Sequence, residues 1–170
     1  MIRIKEITSE KFYYNSLFKD YVFNFDNLQD RFQYDYRKLE SYKENTSRIK
    51  NCYDDKFRNE IAAILKKYNG RLNCSSKTLE NIESLKDKDS VVVIGGQQPG
   101  FLGGPAYTIY KILTILKLSS FLQEKLNIRV VPCFWNASDD SNFDNINNLY
   151  FSGHSWKRFW KLLQKKMMKY

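Results

Sequence analysis

The chain carries a single histidine, His154, in 170 residues. It lies in a stretch without acidic neighbours, so an imidazole-centred catalytic triad has nothing to stand on, and His154 reads as incidental. Cysteine is almost as sparse. Cys52, Cys74 and Cys133 are odd in number, far apart and without a C-x-x-C pair, which signals neither a disulfide framework nor a zinc site. No metal site is expected. There is no run of eighteen apolar residues, and Met1-Ile-Arg-Ile-Lys-Glu-Ile7 alternates charge with isoleucine instead of building a signal-peptide core. A cytoplasmic chain is the expectation. Internal repeats and low-complexity linkers are also missing.

What is present in excess is positive charge, +9 overall, which at first suggests a nucleic-acid or membrane partner. Its distribution argues otherwise. Residues 151–170 hold six Lys or Arg and no acid, leaving 22 basic against 19 acidic residues and only +3 on the rest. A weakly basic body offers a polyanion little electrostatic footprint, so no nucleic-acid partner is expected. Aromatics are concentrated at the other end. Eleven lie between Phe12 and Tyr42, interleaved with Asp20, Asp26, Asp30 and Asp35. The acids argue for a packing arm with short helices over a base-stacking platform.

Periodicity supplies the elements. Phe57, Ile61, Ile64, Leu65 and Tyr68 recur at helical spacing behind the start signal Asp54-Asp55, with Asn69-Gly70 as the stop. Leu79, Ile82 and Leu85 mark a shorter helix behind Ser75-Ser76. The β-branched run from Val91 reads as a strand buried on both faces. From Pro105 to about Leu126 a long helix is apolar on most sides, with Ile109, Ile112, Leu113 and Leu116 as one stripe and Tyr110, Ile115, Leu118 and Leu122 widening it, so it is expected to lie between a sheet and another layer. Asn127 ends it, and Ile128 to Trp135 reads as the next strand, parallel to the first. Two such strands are too few for a parallel sheet. Asn148 to Ser152 is a candidate third strand and Ile2 to Lys5 a candidate edge, which leaves the sheet incomplete.

Candidate chemistry lies at the carboxyl ends of the two strands, where open α/β sheets bind ligands. Five of the seven glycines, Gly95, Gly96, Gly100, Gly103 and Gly104, fall within ten residues there. They match neither G-x-G-x-x-G nor a phosphate loop. On spacing alone, a tight turn with close helix packing accounts for them as well as ligand binding does. Gln97 and Gln98 offer hydrogen bonds, Lys111 a charge, and the helix opening after the loop offers unpaired N–H groups to an anion. After the second strand, Asp139 and Asp140 are the titratable pair. Adjacent carboxylates suit cation binding or acid/base work, but helix capping before Phe143-Asp-Asn-Ile146 is the simpler reading of the pair alone.

The full strings say more than the spacings. Gly96-Gln-Gln-Pro-Gly-Phe-Leu-Gly-Gly-Pro-Ala-Tyr-Thr-Ile-Tyr-Lys111 and Val131-Pro-Cys-Phe-Trp-Asn-Ala-Ser-Asp-Asp140 closely resemble the N-terminal Rossmann-like region of the BshC family of bacillithiol biosynthesis. The resemblance extends over most of residues 1–150. It implies an α/β fold, a partial Rossmann-like parallel sheet (a βαβ unit in residues 89–150) preceded by an aromatic-rich, mainly helical segment in residues 1–88. The reaction it implies is attachment of cysteine to glucosaminyl-malate, with ATP as the cofactor it suggests. Carried onto this sequence, Gly96, Gln97, Gln98, Gly100, Gly103, Gly104, Tyr107, Lys111, Trp135 and Ser138 would bind ligand, and Asp139 and Asp140 would be catalytic. Two departures stand out. Where the family pattern reads Ser-Glu-Asp-His-Asp-Phe, this chain has Ser138-Asp-Asp-Ser-Asn-Phe143, so a group that titrates near neutrality is missing. Family members also continue well past this length, while residues 151–170 change composition abruptly, as a frameshift or premature stop would produce. The expectation is an N-terminal fragment of a cysteine ligase, inactive alone, with the remainder a candidate separate polypeptide. The alternative is a small ligand-binding protein whose tail, with Trp156, Phe159, Trp160 and Leu163 on one face, meets a membrane or an acidic partner.

Overall fold

The computed structural model describes residues 15–100, 103–140, 150–151 and 154–155. They fall into two compact units, Met1–Arg48 and Ile49–Tyr170. In the first, α1 (Ser16–Phe23) starts where the Asn15 side chain accepts the Phe18 N–H at 2.8 Å. A 3-10 turn (Phe25–Leu28) follows, and α2 (Leu39–Lys50) leads out of the unit. The aromatics of this segment pack on one another. Tyr21 stacks on Tyr36 at 5.0 Å and meets Phe32 and Phe25 edge-on at 5.1 and 5.6 Å. Beside them Asp35 is buried, and Arg37 grips it with two side-chain N–H groups at 2.9 Å and its backbone N–H at 3.0 Å. That grip lowers the Asp35 pKa to about 2.

The second unit is built on a strand–helix–strand crossover. α3 (Asp55–Arg71) is capped by Asp54 and α4 (Ser76–Ser84) by Ser75. β1 (Val91–Gln97) and β2 (Val130–Asn136) pair in parallel from Val91 opposite Val130 to Gln97 opposite Asn136, with α5 (Ala106–Leu126) packed on both. Two arginines fix where the strands begin. The Arg58 guanidinium of α3 donates to the carbonyls of Leu85, Asp87 and Ser90 at 3.2–3.3 Å, holding the turn into β1. Arg129, just ahead of β2, donates to Asn81 at 2.7 Å and Ser84 at 3.3 Å on α4. Val91, Val130, Val131, Ile115 and Leu122 form the buried seam between sheet and helix. Full burial of each such side chain stabilises the fold by about 1.5–3 kcal/mol.

Four expectations change. Gly70 does not end α3, which runs to Arg71; Asn73 takes the left-handed conformation instead (φ 51°), and the N–H groups of Asn73 and Cys74 cap the carbonyls of Gly70 and Asn69. β1 is not buried on both faces, since Val92 and Ile94 are 45% and 62% exposed. Among the described residues, no second layer covers α5, whose Ile109, Leu113 and Leu116 face solvent. Of that apolar surface the helix buries Ile115 and Leu122, together with the polar Thr108 and Ser119. Finally, Tyr150–Phe151 pairs antiparallel with His154–Ser155 in a separate two-stranded sheet and does not extend the first. The candidate edge at Ile2 to Lys5 lies outside the described residues.

Candidate functional site

β1 does not stop before its glycines; it continues through Gly95 and Gly96 to Gln97. Each glycine there has a steric reason. A Cβ on Gly96 would lie 2.8 Å from the Trp135 carbonyl oxygen of β2, and one on Gly95 would lie 2.8 Å from the end of the Ile115 side chain of α5. A Cβ on Gly100 would sit 2.4 Å from the Gly104 Cα, where the chain doubles back. Gly103 and Gly104 hold φ of 93° and 80°, a region that side chains disfavour. The loop then enters α5 through Pro105, which provides no side-chain cap.

Polar groups converge on this turn. Lys111, one turn into α5, reaches back to donate to the Gln97 Oε1 at 2.7 Å and the Gly96 carbonyl at 3.3 Å, with its Nζ 5.4 Å from the centre of the Tyr107 ring. Gln97 in turn donates from Nε2 to the Tyr107 hydroxyl at 3.3 Å. The other glutamine points elsewhere. Gln98 donates from Nε2 to the Asp140 carbonyl at 2.6 Å and to its Oδ2 at 3.0 Å, tying the first loop to the second. The second loop is a short 3-10 turn, Ser138–Asp140, continuing the strand pairing through an Ala137 N–H that donates to the Gln97 carbonyl at 3.0 Å.

The structure thus brings Gly96, Gln97, Tyr107 and Lys111 into one cluster and joins it, through Gln98, to Asp140. Trp135 is 55% exposed beside Gly96. Ser138 and Asp139 lie in the same turn with their side chains exposed. Gly100, Gly103 and Gly104 shape the loop. Thr108 is a residue that spacing did not single out. Its hydroxyl is buried 3.3 Å from where a Gly104 Cβ would be, and it has no hydrogen-bond partner among the described residues. The signal was its place in the first turn of α5, three residues after Pro105. Cys133, inside β2, has its thiol pKa pushed up by burial, which favours the protonated thiol. Among the described residues, no three His, Cys, Asp or Glu side chains gather as metal ligands, and no helix is long and apolar enough to cross a membrane.

This geometry, two strand-end loops cross-braced outside a parallel pair, belongs to a Rossmann-like half-site, and comparison with known families agrees. The family model for bacillithiol biosynthesis BshC, N-terminal Rossmann-like domain, matches residues 2–169. The chain belongs to the BshC family. Its fold is a partial Rossmann-like α/β arrangement. The BshC match includes the basic stretch 151–169 as well as the crossover. Among relatives, a protein of Natranaerobius thermophilus named "Putative cysteine ligase BshC" is 33% identical over 151 residues, 88% of this chain and 28% of its own length. Proteins of the same name from Bacillus cereus (strain G9842) and Geobacillus sp. (strain WCH70) are 44% and 45% identical over 96 and 95 residues, 56% of this chain and 18% of theirs. The chain therefore spans between about a fifth and under a third of the BshC relatives it matches.

Proposed function

We propose that this chain carries the N-terminal Rossmann-like part of a ligase that attaches cysteine to glucosaminyl-malate, with residues 89–150 as its core, and that the chain by itself binds ligand without turning it over. What supports the reading is the pairing of family membership with the Gln98–Asp140 bridge, which draws both motif loops into one face at the strand ends. That face combines a cation at Lys111, hydroxyl and amide groups at Tyr107 and Gln97, and carboxylates at Asp139 and Asp140. Such a set suits a small, polar, zwitterionic substrate. Binding without turnover follows from the second motif. Ser141 and Asn142 stand where the family pattern has histidine and aspartate, so the proton acceptor best matched to neutral pH is missing. ATP finds no dedicated cradle in the described residues, because the loop lacks a phosphate-loop pattern and the Lys111 ammonium already serves Gln97 and Gly96. No step is assigned to it.

A ligand that binds only the folded chain stabilises it by about 2.7 kcal/mol at a hundred times its Kd, and 1 kcal/mol moves the Tm of a chain this size by about 2–4 °C. Saturating glucosaminyl-malate or cysteine should therefore raise the melting temperature by roughly 5–10 °C. No shift with either compound would sink the reading.

A further inference from the structure

α5 begins without a side-chain cap. Asp54 closes the start of α3 and Ser75 that of α4, whereas Pro105 offers α5 no such group and no acid stands in its first turn. The N–H groups of Ala106 and Tyr107 have no helical carbonyl behind them, so the positive end of a 21-residue helix is left to a partner from outside it. For a bare helix start, water would suffice. Thr108 adds a second donor of a different kind. It is the third residue of α5, only 9% exposed, and its hydroxyl is buried without a hydrogen-bond partner among the described residues. Helical side chains tilt toward the N-terminus, and this hydroxyl ends 3.3 Å from where a Gly104 Cβ would be, just ahead of the helix. A buried hydroxyl without a partner is destabilising, and an acceptor brought to the helix start removes that penalty. The same end is further biased toward donors. Lys111 donates to the Gln97 Oε1 and so turns Nε2 toward the Tyr107 hydroxyl, which accepts it and keeps its own hydrogen to donate.

We infer that the start of α5 is a subsite for a ligand carboxylate, held by the Ala106 and Tyr107 N–H groups and the Thr108 hydroxyl. Donors in a positive field, with no acid among them, complement an anion. A phosphate fits less well, because the glycines lack phosphate-loop spacing and Lys111 is turned to Gln97 and Gly96. Naming the group rests on the ligase reading, in which cysteine and glucosaminyl-malate both present carboxylates.

Thr108→Val removes the hydroxyl and keeps the shape. In calorimetric titrations at pH 7 it should weaken binding of at least one of the two substrates by about tenfold or more, since a hydrogen bond to an ionised acceptor is roughly twice as strong as a neutral one. A loss confined to cysteine assigns the amino-acid carboxylate, and one confined to glucosaminyl-malate the malyl group. Thr108→Ser should stay within about threefold, and Ser119→Ala, which removes the other unpaired hydroxyl about three turns further along α5, should leave affinity unchanged. The melting temperature of Thr108→Val should rise or stay within about 2–4 °C of the parent. A larger fall would make the hydroxyl a structural bond and overturn the subsite. Free malate titrated against isotope-labelled chain should move the Ala106 and Tyr107 amide resonances in the parent and in Thr108→Ser, and much less in Thr108→Val. Inorganic phosphate displacing malate at a lower concentration than malate itself requires would overturn the carboxylate assignment. Substrate binding that Thr108→Val does not change removes the subsite and leaves the ligase reading; malate shifts in a chain that binds neither substrate do the reverse.

Discussion

At Gly95 and Gly96 two successive glycines meet obstacles at the same distance, yet the obstacles differ in kind. Ile115 presents the end of a flexible side chain to Gly95, whereas Trp135 presents a backbone oxygen to Gly96. Gly95→Ala should therefore cost little, since a rotamer change relieves the contact and the unfolded chain loses about 0.4–1 kcal/mol worth of entropy. Gly96→Ala has to push β2 away, and an overpacking cost of about 1–3 kcal/mol is expected, read as a fall in the urea midpoint relative to Gly95→Ala. Similar midpoints would show that the strands yield more easily than the geometry implies. Asp35 supports a pH prediction. Its pKa is held at about 2 by Arg37, against about 3.9 in an unfolded chain, so the pair's contribution is complete above pH 4 and disappears as pH falls toward 2. Near-UV circular dichroism from the Tyr21, Phe25, Phe32 and Tyr36 cluster should weaken across that window. Asp35→Asn should weaken the same signal at pH 7 and flatten its acid dependence. Nothing in the spacing of residues 30–40 announced this pair, because burial of Asp35 is a tertiary outcome that local pattern does not carry.

Among the elements, α5 shows what pattern reading captures and where it errs. Its span was legible from Pro105 at one end and Asn127 at the other, and Asn127 indeed takes the left-handed conformation with φ of 51°. Its orientation was not legible. Hydrophobic periodicity favours the face with Ile109, Leu113 and Leu116, but the buried side combines Ile115 and Leu122 with the polar Thr108 and Ser119. That choice has a cost. Ser119 is 3% exposed and its hydroxyl lacks a partner among the described residues. Leaving such a group unsatisfied costs about 1–3 kcal/mol, and alanine is also the better helix former. Ser119→Ala should raise the melting temperature by a few degrees, at about 2–4 °C per kcal/mol. A fall would mean that the hydroxyl is satisfied in solution, by water or by the α5 backbone. In α3 the error was smaller. Gly70 was a plausible stop, but Asn73 tolerates the left-handed conformation and the helix kept one more residue.

For the molecule as a whole, the strand-end loops were more legible than the layers. Both loop motifs were readable because glycines, prolines and amides act locally, and the structure joins them through Gln98 and Asp140. The layer arrangement was less legible because apolar residues on α5 and β1 signal burial without saying against what. In the described residues, Val92 and Ile94 on the sheet and Ile109, Tyr110 and Leu113 on the helix are 45–68% exposed. Apolar surface left open on the sheet and on the helix in this way is an aggregation liability in a chain held in solution by itself. At tens of micromolar the 170-residue chain should sediment with a concentration-dependent average mass and enhance the fluorescence of an apolar dye in native buffer. Ile109 and Leu113 lie one helical turn apart on a single face. Replacing both with glutamate should lower the dye signal and the mass average while leaving the melting temperature within about 2–4 °C, since neither side chain is in the buried seam. A large drop in melting temperature would instead show that this face is packed in the folded chain. A fully monomeric unaltered chain with no dye response would lead to the same conclusion from the opposite side.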